Sequence, residues 1–330
     1  MNLDYTPPIW LRHPMIQSTL ASRGKKGRIA AKSEGYLFQT YCPQEDRMVR
    51  LTGIYDLQPA HSGHEERRTL AVLIHGWEGS SESAYVIRLG QELYSKGWDI
   101  FRLNLRDHGP THHLNPGLFN GSLIDEVYDV IRQSVFHWQN LVSPSPIGRT
   151  VVAGFSMGGN FALRVAGSHS TTKKQIPGLS HCYAISPAVD PEKTTRMLDS
   201  HPVLSHYFLR KWFQSLKLKE KHFPELYEFG NLSDAGDVMT LTDRVARQYS
   251  HYQDASHYFQ SYTVRKGHAD RIDVPLTILS AQDDPIIAPR ELEDFATNPN
   301  INLILTRHGG HNGFFLQNLK RPIYLDLVET

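Results

Sequence analysis

Thr150-Val151-Val152-Ala153-Gly154-Phe155-Ser156-Met157-Gly158-Gly159-Asn160 is the stretch that decides the fold. A β-branched apolar run leads into Gly-x-Ser-x-Gly, and Phe161, Ala162, Val165 and Ala166 follow at helical spacing. Strand, sharp turn and helix form the context that separates a nucleophile elbow from a chance match to this motif. The turn holds the serine in a strained conformation with its hydroxyl projecting. Side chains two residues to either side would collide, so Gly154 and Gly158 are required there. The helix beginning after Ser156 directs its N-terminal dipole at negative charge developing beside the hydroxyl.

Around this elbow the chain alternates. Leu70 to Ile74 is continuously apolar, the pattern of a strand buried on both faces of a parallel sheet. Further strands are expected at Trp98 to Leu105, Thr150 to Phe155, Cys182 to Ile185, Leu276 to Leu279 and Ile301 to Leu305. A helix is expected from Leu123 to Trp138, with Ile124, Val127, Ile131, Val135 and Trp138 on one stripe and Ser122 with Asp125 as its N-terminal cap. Tyr36 to Thr40 and Met48 to Tyr55 read as an antiparallel edge pair, and residues 58–68 as a polar loop. Such alternation predicts an α/β fold with a mostly parallel sheet and helices on both faces, formed by residues 1–330 as one domain. The alternation lapses over 188–266, which predicts a helical cap inserted over the site.

In a fold built on such an elbow, an acid and then a histidine follow the serine in chain order, each after a late strand. Asp283-Asp284-Pro285 follows the expected strand at 276–279, and Arg307-His308-Gly309-Gly310-His311 follows the one at 301–305. His311, between glycine-rich segments, is expected to take the Ser156 proton, with Asp284 fixing its tautomer. Asp283 is the alternative acid and His308 the competing base. His75-Gly76-Trp77-Glu78-Gly79 follows the first buried strand, where the second oxyanion donor of this constellation arises. The expected donors are the backbone amides of Trp77 and Met157.

Together HGWEGSSESAY at 75–85, NLRDHG at 104–109, GFSMGGN at 154–160, DDP at 283–285 and GGHNGF at 309–314 resemble the YheT-type branch of the α/β hydrolases. That resemblance runs from about His13-Pro14 to the C-terminus. It implies the α/β-hydrolase fold and a Ser156–Asp284–His311 triad. Relatives in the branch are lipid esterases, phospholipases and medium-chain acyl transferases. This chain departs from the pattern twice. Trp77 stands where a small aliphatic residue is usual, and Asp107 stands where the Arg-Gly-His-Gly loop has glycine. Both departures bear on the shape and charge of the acyl pocket.

The expected activity is therefore that of a serine esterase, cleaving short- to medium-chain or lipid-like carboxylic esters through an acyl-enzyme without a cofactor. Transfer of the acyl group to an alcohol or thiol is the nearest alternative, and a non-catalytic scaffold on this fold is the other. Balanced charge, 35 basic against 34 acidic side chains, gives no electrostatic footprint for nucleic acid. Two distant cysteines, Cys42 and Cys182, fit a reducing compartment, and the opening MNLDYTPPIW does not read as a signal peptide, so a cytoplasmic protein is expected. Asp107, His108, His112 and His113 read as a solvated loop at the rim of the site rather than a metal centre. Residues 207–221 (YFLRKWFQSLKLKEK) interleave an apolar stripe with lysines and arginine. They read as a cap helix packed on the core, with contact to an anionic membrane surface as the alternative.

Overall fold

Leu70 to Ile74 is fully buried because helices cover both faces of the strand that holds it. Leu70, Val72 and Ile74 pack with Val127, Ile131 and Phe161, whereas Ala71 and Leu73 pack with Val86, Leu89 and Tyr324. A computed structural model describes residues 5–23, 27–59, 67–143, 147–317 and 321–328. Residues 1–4 of the N-terminal stretch and 60–66 of the polar loop lie outside the described residues.

Eight strands form one sheet: β1 (Ser33–Cys42), β2 (Arg47–Asp56), β3 (Arg68–Ile74), β4 (Asp99–Asn104), β5 (Ile147–Phe155), β6 (Leu179–Ile185), β7 (Leu276–Ala281) and β8 (Ile301–Thr306). Their order is β1-β2-β4-β3-β5-β6-β7-β8. β1 and β2 pair antiparallel, as does β2 with β4, and β4 through β8 are parallel. The expected strands all form, each within a few residues of its expected bounds. β1 is half-solvated: Phe38, Thr40 and Cys42 point inward, while Leu37 and Tyr41 are exposed.

In chain order the helices are α1 (Pro14–Ser22), α2 (Ala84–Ser95), α3 (Ile124–Leu141), α4 (Met157–Thr171), α5 (Pro191–Asp199), α6 (Pro202–His222), α7 (Val238–Tyr249), α8 (Ala255–Gln260), α9 (Lys266–Ala269), α10 (Arg290–Glu293) and α11 (Tyr324–Leu327). The stripe expected for α3 is the face it buries. Its cap differs from expectation: Leu123 is the capping residue and makes no side-chain cap bond. The Ser122 hydroxyl turns instead to Gln44 and Asn120, with the side-chain oxygen of either placed to accept its one proton, and its oxygen accepts from the Tyr252 hydroxyl. Between β6 and β7 the chain is helical, from α5 to α9. Its apolar residues form clusters largely of their own, one uniting Trp212, Phe213 and Leu216 of α6 with Tyr227, Phe229 and Leu241.

The parallel strands β4 and β5 flank β3, so the chain leaves β3 in one direction and returns on its other side. At such a reversal the loops beyond the carboxyl ends of neighbouring strands diverge and leave a crevice. Ile74 and Gly154 are register partners, which brings the loops after β3 and β5 together there.

Candidate active site

Ser156 sits between β5 and α4 with φ 54° and ψ −115°, the strained turn expected of it. Its amide donates to the Ile185 carbonyl and its own carbonyl accepts from Asn160. A methyl group on Gly154 would lie 1.9 Å from the Gly158 carbonyl oxygen, and one on Gly158 would lie 2.3 Å from that of Ile74. Both contacts are with backbone and neither can yield, so the elbow tolerates only glycine at these positions.

The structure pairs two acids with two histidines. Asp284 Oδ2 lies 2.9 Å from His311 Nδ1, and its Oδ1 accepts from the amides of Ile286 and Ile287 at 2.9 and 3.0 Å. With the carboxylate so held, His311 carries its proton on Nδ1 and leaves Nε2 as the accepting nitrogen. Asp283 instead accepts from the Gly310 amide and faces His308 Nδ1 at 3.4 Å. The sequence favoured Asp284 and His311, with Asp283 and His308 as the alternatives; the geometry joins Asp284 to His311 and Asp283 to His308. Only His311 of the two histidines lines the cavity that holds Ser156.

That cavity is about 570 Å³, and Ser156, Met157, Trp77 and His311 share its wall. Such a volume is ordinary for a small-molecule pocket. The Met157 amide, at the first position of α4, has no intrahelical acceptor. Trp77 is supported from behind by a buried network. His75 Nδ1 donates to the Gly76 carbonyl at 2.7 Å, and the Gly79 amide donates to the same oxygen. The Gly76 amide is taken by the Tyr85 hydroxyl at 3.0 Å. Because the Gly76 carbonyl and the Trp77 N–H belong to one planar peptide, anchoring the oxygen on one side turns the N–H to the other. His75 Nε2 accepts from the Leu105 amide at 3.1 Å, which fixes the tautomer, and burial pushes its pKa down to about 4. Beside it, burial pushes the Glu78 carboxyl up to about 8, with Lys211 opposing.

Four residues to which sequence reasoning gave no part in the site complete the frame. Ser18 Oγ of α1 accepts from the His311 amide at 2.8 Å, and the buried Gln17 bonds both the amide and the carbonyl of Phe315. Asn160 Nδ2 donates to the carbonyls of Ala188 and Tyr262, closing the two ends of the α5–α8 segment over α4. Lys219 of α6 is buried, donating to Asp107 Oδ1 at 2.7 Å and to the carbonyls of Asn115 and Gly117. Only Asn160, inside the elbow motif, carried a signal in the sequence.

The loop holding Asp107 corrects the expectation of a solvated rim. Asp107, His108 and His112 are all buried. They diverge: Asp107 turns to Lys219, His108 Nδ1 to the Arg106 carbonyl, and His112 Nε2 to Ser215 Oγ at 2.7 Å. Among the described residues no group of three or more His, Cys, Asp or Glu side chains could hold a metal. In α6 the basic residues are not all solvated either, since Lys211 donates to the Glu78 carbonyl at 2.9 Å. Among the described residues no helix is long and apolar enough to cross a membrane.

A family model described as alpha/beta hydrolase fold matches residues 71–317. Monoacylglycerol lipase ABHD2 of Homo sapiens is 23% identical over 332 residues, covering 94% of this chain and 74% of that protein. The monoacylglycerol lipase of Saccharomyces cerevisiae is 22% identical over 273 residues, covering 79% and 58%. Among solved structures, the Pyrococcus furiosus esterase Pf2001 superposes with a TM-score of 0.53 at 16% identity, covering 92% of this chain and 94% of that one. At such identity the structural likeness speaks to the fold alone.

Proposed function

Because the chain belongs to the alpha/beta hydrolase family, we propose that it is a serine hydrolase acting on carboxylic esters with an apolar, lipid-like acyl group. The reading rests on one arrangement: Ser156 at positive φ at the head of α4, facing the same cavity as a His311 whose Nδ1 is held by Asp284. Ser156 Oγ attacks the ester carbonyl while His311 Nε2 takes its proton. The oxyanion lies against the amides of Trp77 and Met157. The intermediate collapses to an acyl-serine as His311 returns the proton to the departing alkoxide. Water, deprotonated by His311, then attacks the acyl carbon; the acid leaves and Ser156 recovers its proton.

The ester class follows from the cavity, whose walls include Trp77, Phe208, Trp212 and Phe259, and from the relatives named as monoacylglycerol lipases. The proposal includes three finer points. The helices from α5 to α9 act as the cap. The chain falls in the YheT-type branch, on the motifs quoted above. Its location is cytoplasmic, which suits two buried free thiols, Cys42 and Cys182. A peripheral contact with a lipid surface is favoured by Val203 and Tyr207, which are 78% and 43% exposed and also line the cavity.

The test is labelling with a fluorophosphonate probe beside turnover of p-nitrophenyl esters from acetate to palmitate, for the natural protein and a folded Ser156→Ala variant. Labelling and turnover confined to the natural protein are expected. Equal labelling of both proteins refutes the assignment of Ser156, and absence of both labelling and turnover favours a scaffold. Added alcohols that divert the acyl group into a new ester would show transfer rather than hydrolysis.

A further inference from the structure

A second chamber of about 250 Å³ lies against the catalytic cavity. Phe119, Trp212, Thr242 and Tyr258 line both, so the partition between them is one layer of side chains thick. Beyond it the walls are Leu118, Leu226, Tyr227, Val245, Tyr249 and Tyr252. The hydroxyls of these tyrosines are engaged elsewhere. Tyr227 donates to the Pro116 carbonyl, Tyr249 to that of Glu228 and Tyr252 to Ser122 Oγ, and Tyr258 accepts from the Gly121 amide. What these walls offer an occupant is mainly ring faces and aliphatic carbon, with Asn120, Ser250 and His251 as polar neighbours. Its far end meets Gln44, Glu45 and Arg47 at the β1–β2 turn.

The direction of a bound ester follows from the proton that His311 must return. The departing alkoxide lies on the His311 side, where Ser18, Thr19 and Ser22 of α1 line the cavity. An acyl chain on Ser156 runs the other way, toward Phe119 and Tyr258 at the partition. We propose that the chamber behind Phe119 is a distal subsite for the far end of a long acyl chain, and that the Phe119 ring sets the chain length accepted. The orientation argument rests on the acyl-enzyme reading; the chamber and its partition do not.

Phe119 is suited to this role because its backbone is fixed independently of its ring. The Phe119 amide donates to Asp107 Oδ2 at 2.8 Å, Lys219 holds the Gly117 carbonyl, and Tyr258 holds the Gly121 amide. The ring itself makes only apolar and edge contacts, the nearest ring being His108 at 4.6 Å between centroids. Removing it opens the wall without releasing the loop.

The test compares the natural protein with Phe119→Leu, Phe119→Ala and Phe119→Ala/Val245→Phe on the p-nitrophenyl ester series. Each further methylene buried is worth about a fourfold gain in kcat/KM. Phe119→Ala is therefore expected to raise the palmitate-to-butyrate ratio of kcat/KM by at least about tenfold, with Phe119→Leu between. Val245→Phe in the Phe119→Ala background refills the chamber and is expected to cancel the gain. Calorimetric binding of octanoate and palmitate to Ser156→Ala and Ser156→Ala/Phe119→Ala reads the same subsite without turnover, and palmitate is expected to gain by a similar factor. An unchanged chain-length ratio together with unchanged palmitate binding overturns the subsite. A binding gain in a protein that hydrolyses no ester overturns the esterase reading and leaves the subsite standing.

Discussion

Replacing Lys219 by methionine tests how α6 is held over the site. Lys219 is 1% exposed in its side chain and Asp107 7%, so their ion pair at 2.7 Å is out of water. Methionine keeps the length and apolar stem but removes the charge and three hydrogen bonds, to Asp107 Oδ1 and to the carbonyls of Asn115 and Gly117. The Asp107 carboxylate then retains only the Phe119 amide. Breaking a buried pair from one side costs about 3–5 kcal/mol, because the surviving charge is left uncompensated. At roughly 2.1 cal/mol/K per residue, the unfolding entropy of 330 residues is about 0.7 kcal/mol/K, so the cost corresponds to a fall in Tm of about 4–7 °C. Asp107→Gly/Lys219→Met removes both charges and places glycine where φ is 54°, a conformation it adopts without strain. Two carbonyls then lack a donor and the Phe119 amide an acceptor, but no uncompensated charge remains, so the double variant should be more stable than Lys219→Met alone. Urea unfolding followed by circular dichroism at neutral pH measures each variant. In parallel, Lys219→Met should raise KM more than it lowers kcat, since α6 carries the cavity residues Phe208, Lys211 and Trp212. A loss below about 1 kcal/mol in Lys219→Met, or a double variant no more stable than the single one, would refute the assignment of a buried, mutually dependent pair.

The other expectations concern the chemistry. Asp284→Asn should lower kcat by on the order of 10⁴, as loss of the orienting acid does in such triads, whereas Asp283→Asn should cost less than about tenfold; comparable losses would mean the two acid–histidine pairs have been misassigned. His75→Ala removes one of the two donors that hold the Gly76 carbonyl and should lower kcat by about 10² with little change in KM, which steady-state kinetics will show; a change in KM alone would place His75 in substrate binding instead. The Glu78 carboxyl, raised by burial to about 8, is neutral below that pH and charged above it. Glu78 lines the cavity that holds Ser156, so a negative charge there would oppose the proposed oxyanion; kcat should fall above about pH 8 and Glu78→Gln should remove that limb. Because the folded protein holds this proton where the unfolded chain has released it, Glu78 makes stability fall as pH rises from the ordinary carboxylate range to about 8, and pH-dependent unfolding of Glu78→Gln should lack that slope.

The sheet was legible because its strands are short, continuous apolar runs bounded by polar loops, a pattern that burial on both faces imposes locally. The elbow was legible for a related reason: steric exclusion at Gly154 and Gly158 acts within a few residues and leaves a local signature. What escaped is held by contacts between distant parts of the chain. Gln17 meets Phe315 across 298 positions and Lys219 meets Asp107 across 112, and neither pairing leaves a periodic trace. Lys219 stands among other lysines of α6, so composition assigns it to a solvated face. Ser122 misled in the opposite sense, since its spacing to Asp125 suits a cap but its oxygen accepts from the Tyr252 hydroxyl rather than from a helix amide. His75 was placed in the right loop, yet its part in aiming the Trp77 amide depends on a tautomer that only Gly76 and Leu105 reveal.

The two departures from the family pattern have a common cause in α6. The Trp77 ring stacks on Phe208 at 5.6 Å and meets Trp212 edge-on at 5.4 Å, while Asp107 pairs with Lys219. Lys211 on the Glu78 carbonyl and Ser215 on His112 extend the same seam. Positions 208, 211, 212, 215 and 219 fall at the three- and four-residue intervals of one helical stripe. A single face of α6 thus grips both the loop after β3 and the loop after β4. Rigid lifting of this helix would pull the Trp77 ring from its stack and expose a buried ion pair, so opening the site by that motion would be costly. Val203 and Tyr207, in the first turns of α6, are exposed and also line the cavity. On the proposed reading the leaving alcohol lies toward α1, and the wall shared with the second chamber, which includes Phe119, is where acyl length is decided.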